Sequence, residues 1–369
     1  MAVFCDANVT NAKKRCISST SSALKPKPLL GKSICGQYTA DRHLEISGSI
    51  PELGCYELEQ TCAGPGGTVW NLEREMLDAK DIILSQYAHD EFEKYTSQAD
   101  TNNAFYKMRV GEQPITKFSG SLIQVTRPGW QVYGHWLLDI LPAIWIYRKV
   151  YGTDLTNTNS AKFLLPSNMP AWAFNMLKML FGLSPHECIF YDEGSEALQP
   201  TQLYLPSNLR IDNVFSPLMN EMIEDIITLT AVKKSDSPRR IFVYRGSRYS
   251  FVQRSMLNED ILASIAKTYN FVVVDPAALD WGDQVQLFAN ADVVVGAFGS
   301  GMHNTIFSNS STRSAILTNS HMNWIQSGIS ALRQQEMTYI WPFKEEEEAG
   351  IPAAAYDPDV FHETIKQLL

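Results

Sequence analysis

His135 and Asp139 stand four residues apart in the run GHWLLDILP, a spacing that puts both side chains on one face of a helix. Such a pair can take a proton from a hydroxyl, with either residue as the base. It can equally be a local ion pair at a helix start. Arg245 closes the apolar run IFVY, and Arg254 follows nine residues later, ahead of Asn258, Glu259 and Asp260. Two guanidinium groups at one sheet edge can clamp a diphosphate and stabilise charge on a departing phosphate. Capping alone accounts for Asp260, on a helix that Asn258 is expected to cap. Glu259 reads either as a second such acid or as a functional one.

The third group is DVVVGAFGSGMHNTIF, residues 292–307. Val293, Val294 and Val295 suit a strand buried on both faces. Gly296, Gly299 and Gly301 allow a sharp turn and close approach of a ligand. The amides of Ser300, Gly301 and Met302 are expected at a helix N-terminus, where phosphate binds readily. A dinucleotide fingerprint is excluded, because Asn304 takes the place of the third glycine and the next strand ends in Asn319 rather than an acid. A hydrolase elbow fails because Phe298 stands where its first glycine belongs. A nucleotide or sugar nucleotide is the expected ligand, against a plain strand-to-helix turn.

These residues need a scaffold, and the chain is long enough for two domains: 369 residues, 45% hydrophobic and 19% charged. A net charge of −9 argues against nucleic acid as a partner. Residues 1–40 reverse the balance, with six basic side chains against Asp6, and read as a flexible, solvated basic tail with at most weak attraction to an anionic membrane surface. Met1–Thr10 shows no signal peptide, and LLDILPAIWIY at 137–147 is too short to span a bilayer. The six cysteines form no C-x-x-C pair and are expected to be reduced in the cytoplasm.

Residues 41–130 alternate strand-like runs (CYELEQ, TVWNL, DIILSQY, SLIQVTRPGW) with turns, among them GPGG at 64–67. A helix is expected over 134–151 with a break at Pro142, then strand, helix and strand to 192, and a helix from Pro217 to about Lys234. KKSDSPRR, residues 233–240, is the expected linker. Beyond it strands and helices alternate regularly, which means a parallel sheet covered on both faces. This gives an N-terminal α/β domain over 41–234, a C-terminal Rossmann-like domain over 239–343, and an acidic loop with a last helix over 344–369. Two such domains facing a cleft would bind ligands at the carboxyl ends of their strands, where Arg245 and the glycine turn both fall. Trp130, Trp136 and Trp145 are the kind of apolar faces on which sugars stack, or else core. Metal binding is not expected: Asp357-Pro358-Asp359 reads as a helix start, and His303 and His321 lack ligand partners at a useful spacing.

At these residues the chain resembles glycosyltransferase family 61, whose conserved region is also called DUF563. The resemblance covers about 120–343. Arg245, Arg254, Asn258 and Glu259 match one block, Asp283-Gln284 a second, and Gly296, Gly299, Ser300, Gly301 and Asn304 a third. His135, Trp136, Asp139 and Pro142 match the family's His-Trp-x-x-Asp-x-x-Pro. The resemblance implies a two-domain GT-B fold and inverting transfer from a nucleotide sugar, such as a UDP-sugar, to a saccharide hydroxyl. Arg245, Arg254, Asn258, Glu259, Gly299, Ser300, Gly301 and Asn304 would hold the donor, and Asp139 or His135 would be the base. No cofactor or metal is implied. Without a visible signal anchor the resemblance is to bacterial members of capsule and exopolysaccharide assembly, in the cytoplasm or at the inner face of the membrane. One departure stands out: Phe298 occupies the place of the family's usual histidine. It favours the alternative of a non-catalytic sugar or nucleotide binder. A polysaccharide pyruvyltransferase is the other alternative, and it leaves the His135/Asp139 block unexplained.

Overall fold

The computed structural model describes residues 4–6, 12–28, 46–78, 113–152, 161–192, 195–230, 239–246, 255–320, 324–348 and 351–369. The chain forms two compact units, Met1–Ser22 with Ser49–Asp212, and Ala23–Gly48 with Asn213–Leu369. Each carries a mixed α/β architecture with parallel strands, as Rossmann-like folds do. Among the described residues no helix is long and apolar enough to cross a membrane.

The spine of the first unit is four parallel strands: β1 (Ile115–Gln124), β2 (Lys162–Pro166), β3 (Cys188–Tyr191) and β4 (Ala197–Pro206). Their order is β4-β1-β2-β3. The chain therefore steps outward from β1 and returns on its other side, which puts the topological switch point between β1 and β4. Leu122, Ile123, Phe163, Leu164, Leu203 and Leu205 are fully buried, as strands enclosed on both faces require. Helix α1 (Tyr133–Tyr151) follows β1 and is apolar nearly all round. Its break lies just before Pro142, because Trp136–Ile140 winds as a π-turn in which the Leu141 N–H donates to the Trp136 carbonyl. Pro142 has no N–H to continue a regular ladder. Helix α2 (Ala171–Phe181) follows β2.

The basic N-terminal stretch is not a free tail throughout. Lys13–Cys16 is a strand paired antiparallel with Gly54–Leu58, Arg15 is ion-paired with Glu57, and Lys14 lies over the Tyr56 ring. Lys27–Pro28 joins the sheet of the second unit. The expected strand DIILSQY lies outside the described residues, as does most of the charged linker.

The main run of the second unit begins at Asn213 and includes α3 (Leu218–Leu229), so the division between units falls at Asp212 rather than beyond Lys234. Its sheet contains β5 (Arg240–Val243), β6 (Val272–Val274), β7 (Val293–Ala297), β8 (Arg313–Leu317) and β9 (Glu336–Ile340). All are parallel, in the order β6-β5-β7-β8-β9, so the strand order reverses between β5 and β7. Helices α4 (Glu259–Thr268), α5 (Trp281–Ala289) and α6 (Ile325–Arg333) connect them. The acidic run is a strand rather than a loop: β10 (Lys344–Glu348) pairs antiparallel with β11 (Ile351–Ala355). Helix α7 (Pro358–Leu368) inserts Phe361, Ile365 and Leu368 into the core beside Phe242, Val295 and Leu317.

Candidate functional site

At the switch point of the first unit, the segments leaving β1 and β4 are fastened by Arg127, which is 2% exposed. Its Nε donates to Asn208 Oδ1 at 2.8 Å and its Nη2 to the Pro206 carbonyl at 2.7 Å. Beyond these anchors the two segments supply His135 and Arg210, which meet at Asp139. His135 Nδ1 lies 2.8 Å from Asp139 Oδ2. Arg210 faces the same carboxylate with Nε 2.7 Å from Oδ1, and its Nη2 donates to Oδ2 at 2.8 Å. Asp139 is 3% exposed. Burial alone pushes its carboxyl up, but the Arg210 charge and then the His135 contact win and hold it well below the usual carboxylate range. A carboxylate so stabilised is a weak base, whereas the His135 side chain keeps 35% of its exposure. Gly129, at φ +76°, lies against the ring: a Cβ there would come within 2.5 Å of His135 Nε2.

At the switch point of the second unit, Arg245 leaves β5 and Phe298 leaves β7. Arg245 Nη1 reaches the Phe298 carbonyl at 3.5 Å, the outer limit of a hydrogen bond. Glu259 is 8% exposed and accepts the backbone N–H of Arg245 at 2.7 Å and of Gly246 at 2.9 Å. It fixes the loop that carries the guanidinium. Burial raises its pKa, an effect that those two amides offset in part.

Asn258 precedes α4 but its side chain does not cap it. Its Nδ2 donates to the Tyr356 carbonyl at 2.7 Å and its Oδ1 accepts the Tyr356 N–H at 3.1 Å, which ties α4 to the start of α7. Asn304 is fully buried and donates to Gln284 Oε1 at 3.0 Å. The glycine turn leads into a short 3-10 helix, Met302–Phe307, in which the Met302 amide is taken by the Gly299 carbonyl at 2.9 Å. Of the three amides expected to face a phosphate, Met302 is thus committed to the protein. Gly299 needs its glycine for φ +132°, whereas Gly296 is small for packing, since a Cβ would lie 2.7 Å from that of Val243. Phe298 is 3% exposed, so the place of the expected histidine belongs to the core. Arg254 lies outside the described residues.

Trp130, Trp136 and Trp145 are all buried, which selects core packing over sugar stacking for these three. Arg210 escaped the sequence reading altogether. The one signal for it is an arginine shortly after a strand's carboxyl end, the rule that picked out Arg245. Asp357 Oδ1 accepts the N–H groups of Asp359 and Val360, the contact of a helix start. Among the described residues no group of three or more His, Cys, Asp or Glu side chains is placed to hold a metal ion.

Parallel sheets whose strand order reverses beside conspicuous charged side chains mark an α/β protein compatible with Rossmann-like folds. Residues 133–315, which contain His135, Asp139, Arg210, Arg245 and Glu259, match the family model Glycosyltransferase 61, and over that span the chain belongs to this family. Membership implies transfer of a glycosyl group. No curated relative matches the chain.

Proposed function

We propose that the protein is an inverting glycosyltransferase that moves a sugar from a nucleoside-diphosphate donor to a hydroxyl of a saccharide acceptor. The carrying observation is His135, whose Nδ1 is held by a buried carboxylate that Arg210 neutralises. With Nδ1–H donated to Asp139, the neutral ring offers Nε2 as proton acceptor. The acceptor oxygen bonds to the anomeric carbon while its proton passes to Nε2. The phosphate oxygen leaves from the opposite face with the bonding electron pair, so the anomeric centre inverts. Asp139 holds the ring and stabilises the imidazolium, as in a catalytic triad.

Arg245, Arg254, Ser300 and Gly301 are assigned to the diphosphate, where positive charge counts most as the leaving group gains negative charge. Glu259, Asn258 and Asn304 act behind them by holding loop and helix. The two units then serve as acceptor and donor sides of a GT-B-type enzyme, with a nucleotide sugar such as a UDP-sugar as donor. The reading places the protein in the cytoplasm, in surface-polysaccharide assembly.

Incubation with a panel of nucleotide sugars and saccharide acceptors tests this. The expected result is nucleoside diphosphate released from one donor, a product of inverted anomeric configuration, and loss of turnover in His135→Ala with donor binding kept. A retained configuration would remove the single-displacement mechanism, and no turnover with any donor would favour a binding protein.

A further inference from the structure

Among the described residues, which include all eight tryptophans, only Trp172 is exposed, at 39%. It is the second residue of α2, just past the carboxyl end of β2. β2 neighbours β1, the strand whose exit leads to His135. The indole is fixed rather than loose: its ring stands edge-to-face with Tyr133 at 5.8 Å and with Trp136 at 6.1 Å. Tyr133 and Trp136 are three residues apart at the start of α1 and flank His135 in the chain. Positions 133 and 135 are about 200° apart around the helix, so what the ring pair shares with His135 is the helix start beyond the carboxyl end of β1, not a common face.

A single exposed apolar side chain is ordinary; what sets Trp172 apart is that two other aromatic rings hold its indole in place at the carboxyl end of the sheet. We infer that Trp172, supported by Tyr133, is a stacking subsite for a pyranose ring of the acceptor. An aromatic face carries a negative quadrupole, which attracts the weakly positive C–H groups on the apolar face of a sugar. Along the outer face of α2, exposed Asn175 and Lys178 separate Trp172 from Met179, so on that side polar groups break up the exposed apolar surface, which elsewhere includes Val132 beside Tyr133. That suits a hydroxyl-bearing ring better than a protein partner or a membrane. The inference rests on the transferase reading and names the acceptor class for it.

Binding to an array of defined pyranose oligosaccharides tests it, using the full chain, Trp172→Ala, Trp172→Phe and, as a control, the exposed Met179→Ser. Matching thermal melts would show that each variant is folded. The wild type should bind a subset of the sugars, and Trp172→Ala should weaken that binding about tenfold, equivalent to about 1.4 kcal/mol. Trp172→Phe should largely restore it, and Met179→Ser should leave it unchanged. Equal binding by wild type and Trp172→Ala, or no sugar retained by the wild type, overturns the inference. So does a Trp172→Ala defect confined to anionic phospholipid vesicles, which would make the patch a membrane contact. Donor hydrolysis read in parallel separates the two claims: its absence in every variant defeats the transferase reading, whereas sugar binding decides the subsite.

Discussion

Asp139 is the residue whose surroundings decide its own role. One carboxylate, almost wholly buried, receives the Arg210 guanidinium and the His135 ring, and a group so well compensated gains little by accepting a proton. Asp139→Asn keeps the shape but removes the charge that stabilises an imidazolium and selects the tautomer. Turnover should fall by about 10²–10⁴-fold, with donor affinity nearly unchanged. His135→Ala should fall at least as far. Near-normal turnover in both would return this helix to the core and send the search for the base elsewhere. The substitution also strands Arg210, whose side chain is 12% exposed, and breaking a buried pair in this way costs about 3–5 kcal/mol. Because the folded pKa of Asp139 lies below its unfolded value of about 3.9, the stability it adds is whole above that pH and is lost as pH falls through the folded value. The melting-temperature gap between wild type and Asp139→Asn should therefore narrow below about pH 4; a gap constant down to acid unfolding would show that the ion pair does not control it. Arg245→Ala removes a cation from the proposed diphosphate contact and should cost about 2–4 kcal/mol in kcat/KM, with weaker nucleoside-diphosphate binding. Unchanged kinetics would take Arg245 out of the site.

Both candidate centres rely on loops that leave parallel strands, and the backbone there is as constrained as the side chains. Gly129 combines φ +76° with contact to the His135 ring, where an added Cβ would sit 2.4 Å from Cδ2. Gly129→Ala should cost about 1–3 kcal/mol of backbone strain and push the imidazole off Asp139. Turnover near that of His135→Ala, in a protein that still melts cooperatively, is the expected outcome; full activity would mean that the ring has room to move. Such local demands were only partly readable in the sequence. IFVY and DVVVGAFG announce buried parallel strands because three or four consecutive apolar β-formers suit little else, and Arg245 and the glycines follow by position. Pro142 marks a break in α1, but the π-turn ahead of it depends on how that segment packs. Lys13–Cys16 looks like tail because its partner, Gly54–Leu58, is some forty residues away and no local periodicity records the pairing. Glu345–Glu348 looks like loop because charge is common in both loops and exposed strands. Arg210 was invisible for the same reason as the first strand: it acts across 71 residues on Asp139.

At the scale of the whole molecule the chain crosses between units more than once, since Ala23–Gly48 belongs with Asn213–Leu369. The charged stretch near Lys233 resembles a boundary because linkers tend to be charged and proline-bearing. It instead follows α3, which has a buried face of Met219, Met222, Ile223 and Ile226. That face packs against α5, α6 and the Met302–Phe307 turn, all of the second unit. Each of these side chains is worth about 1.5–3 kcal/mol when fully buried, a total that rivals the net stability of a small domain. Two fragments put the competing boundaries to the test, one starting at Asn213 and one at Arg239, both ending at Leu369. Both lack Ala23–Gly48, so the comparison is relative: the longer should melt at the higher temperature and bind nucleoside diphosphate more tightly. The shorter should expose the surface that α3 covers, and so melt at lower temperature or aggregate. If the fragment from Arg239 proves as stable as the one from Asn213, α3 is dispensable to the second unit and the division of the chain lies in the charged stretch after all.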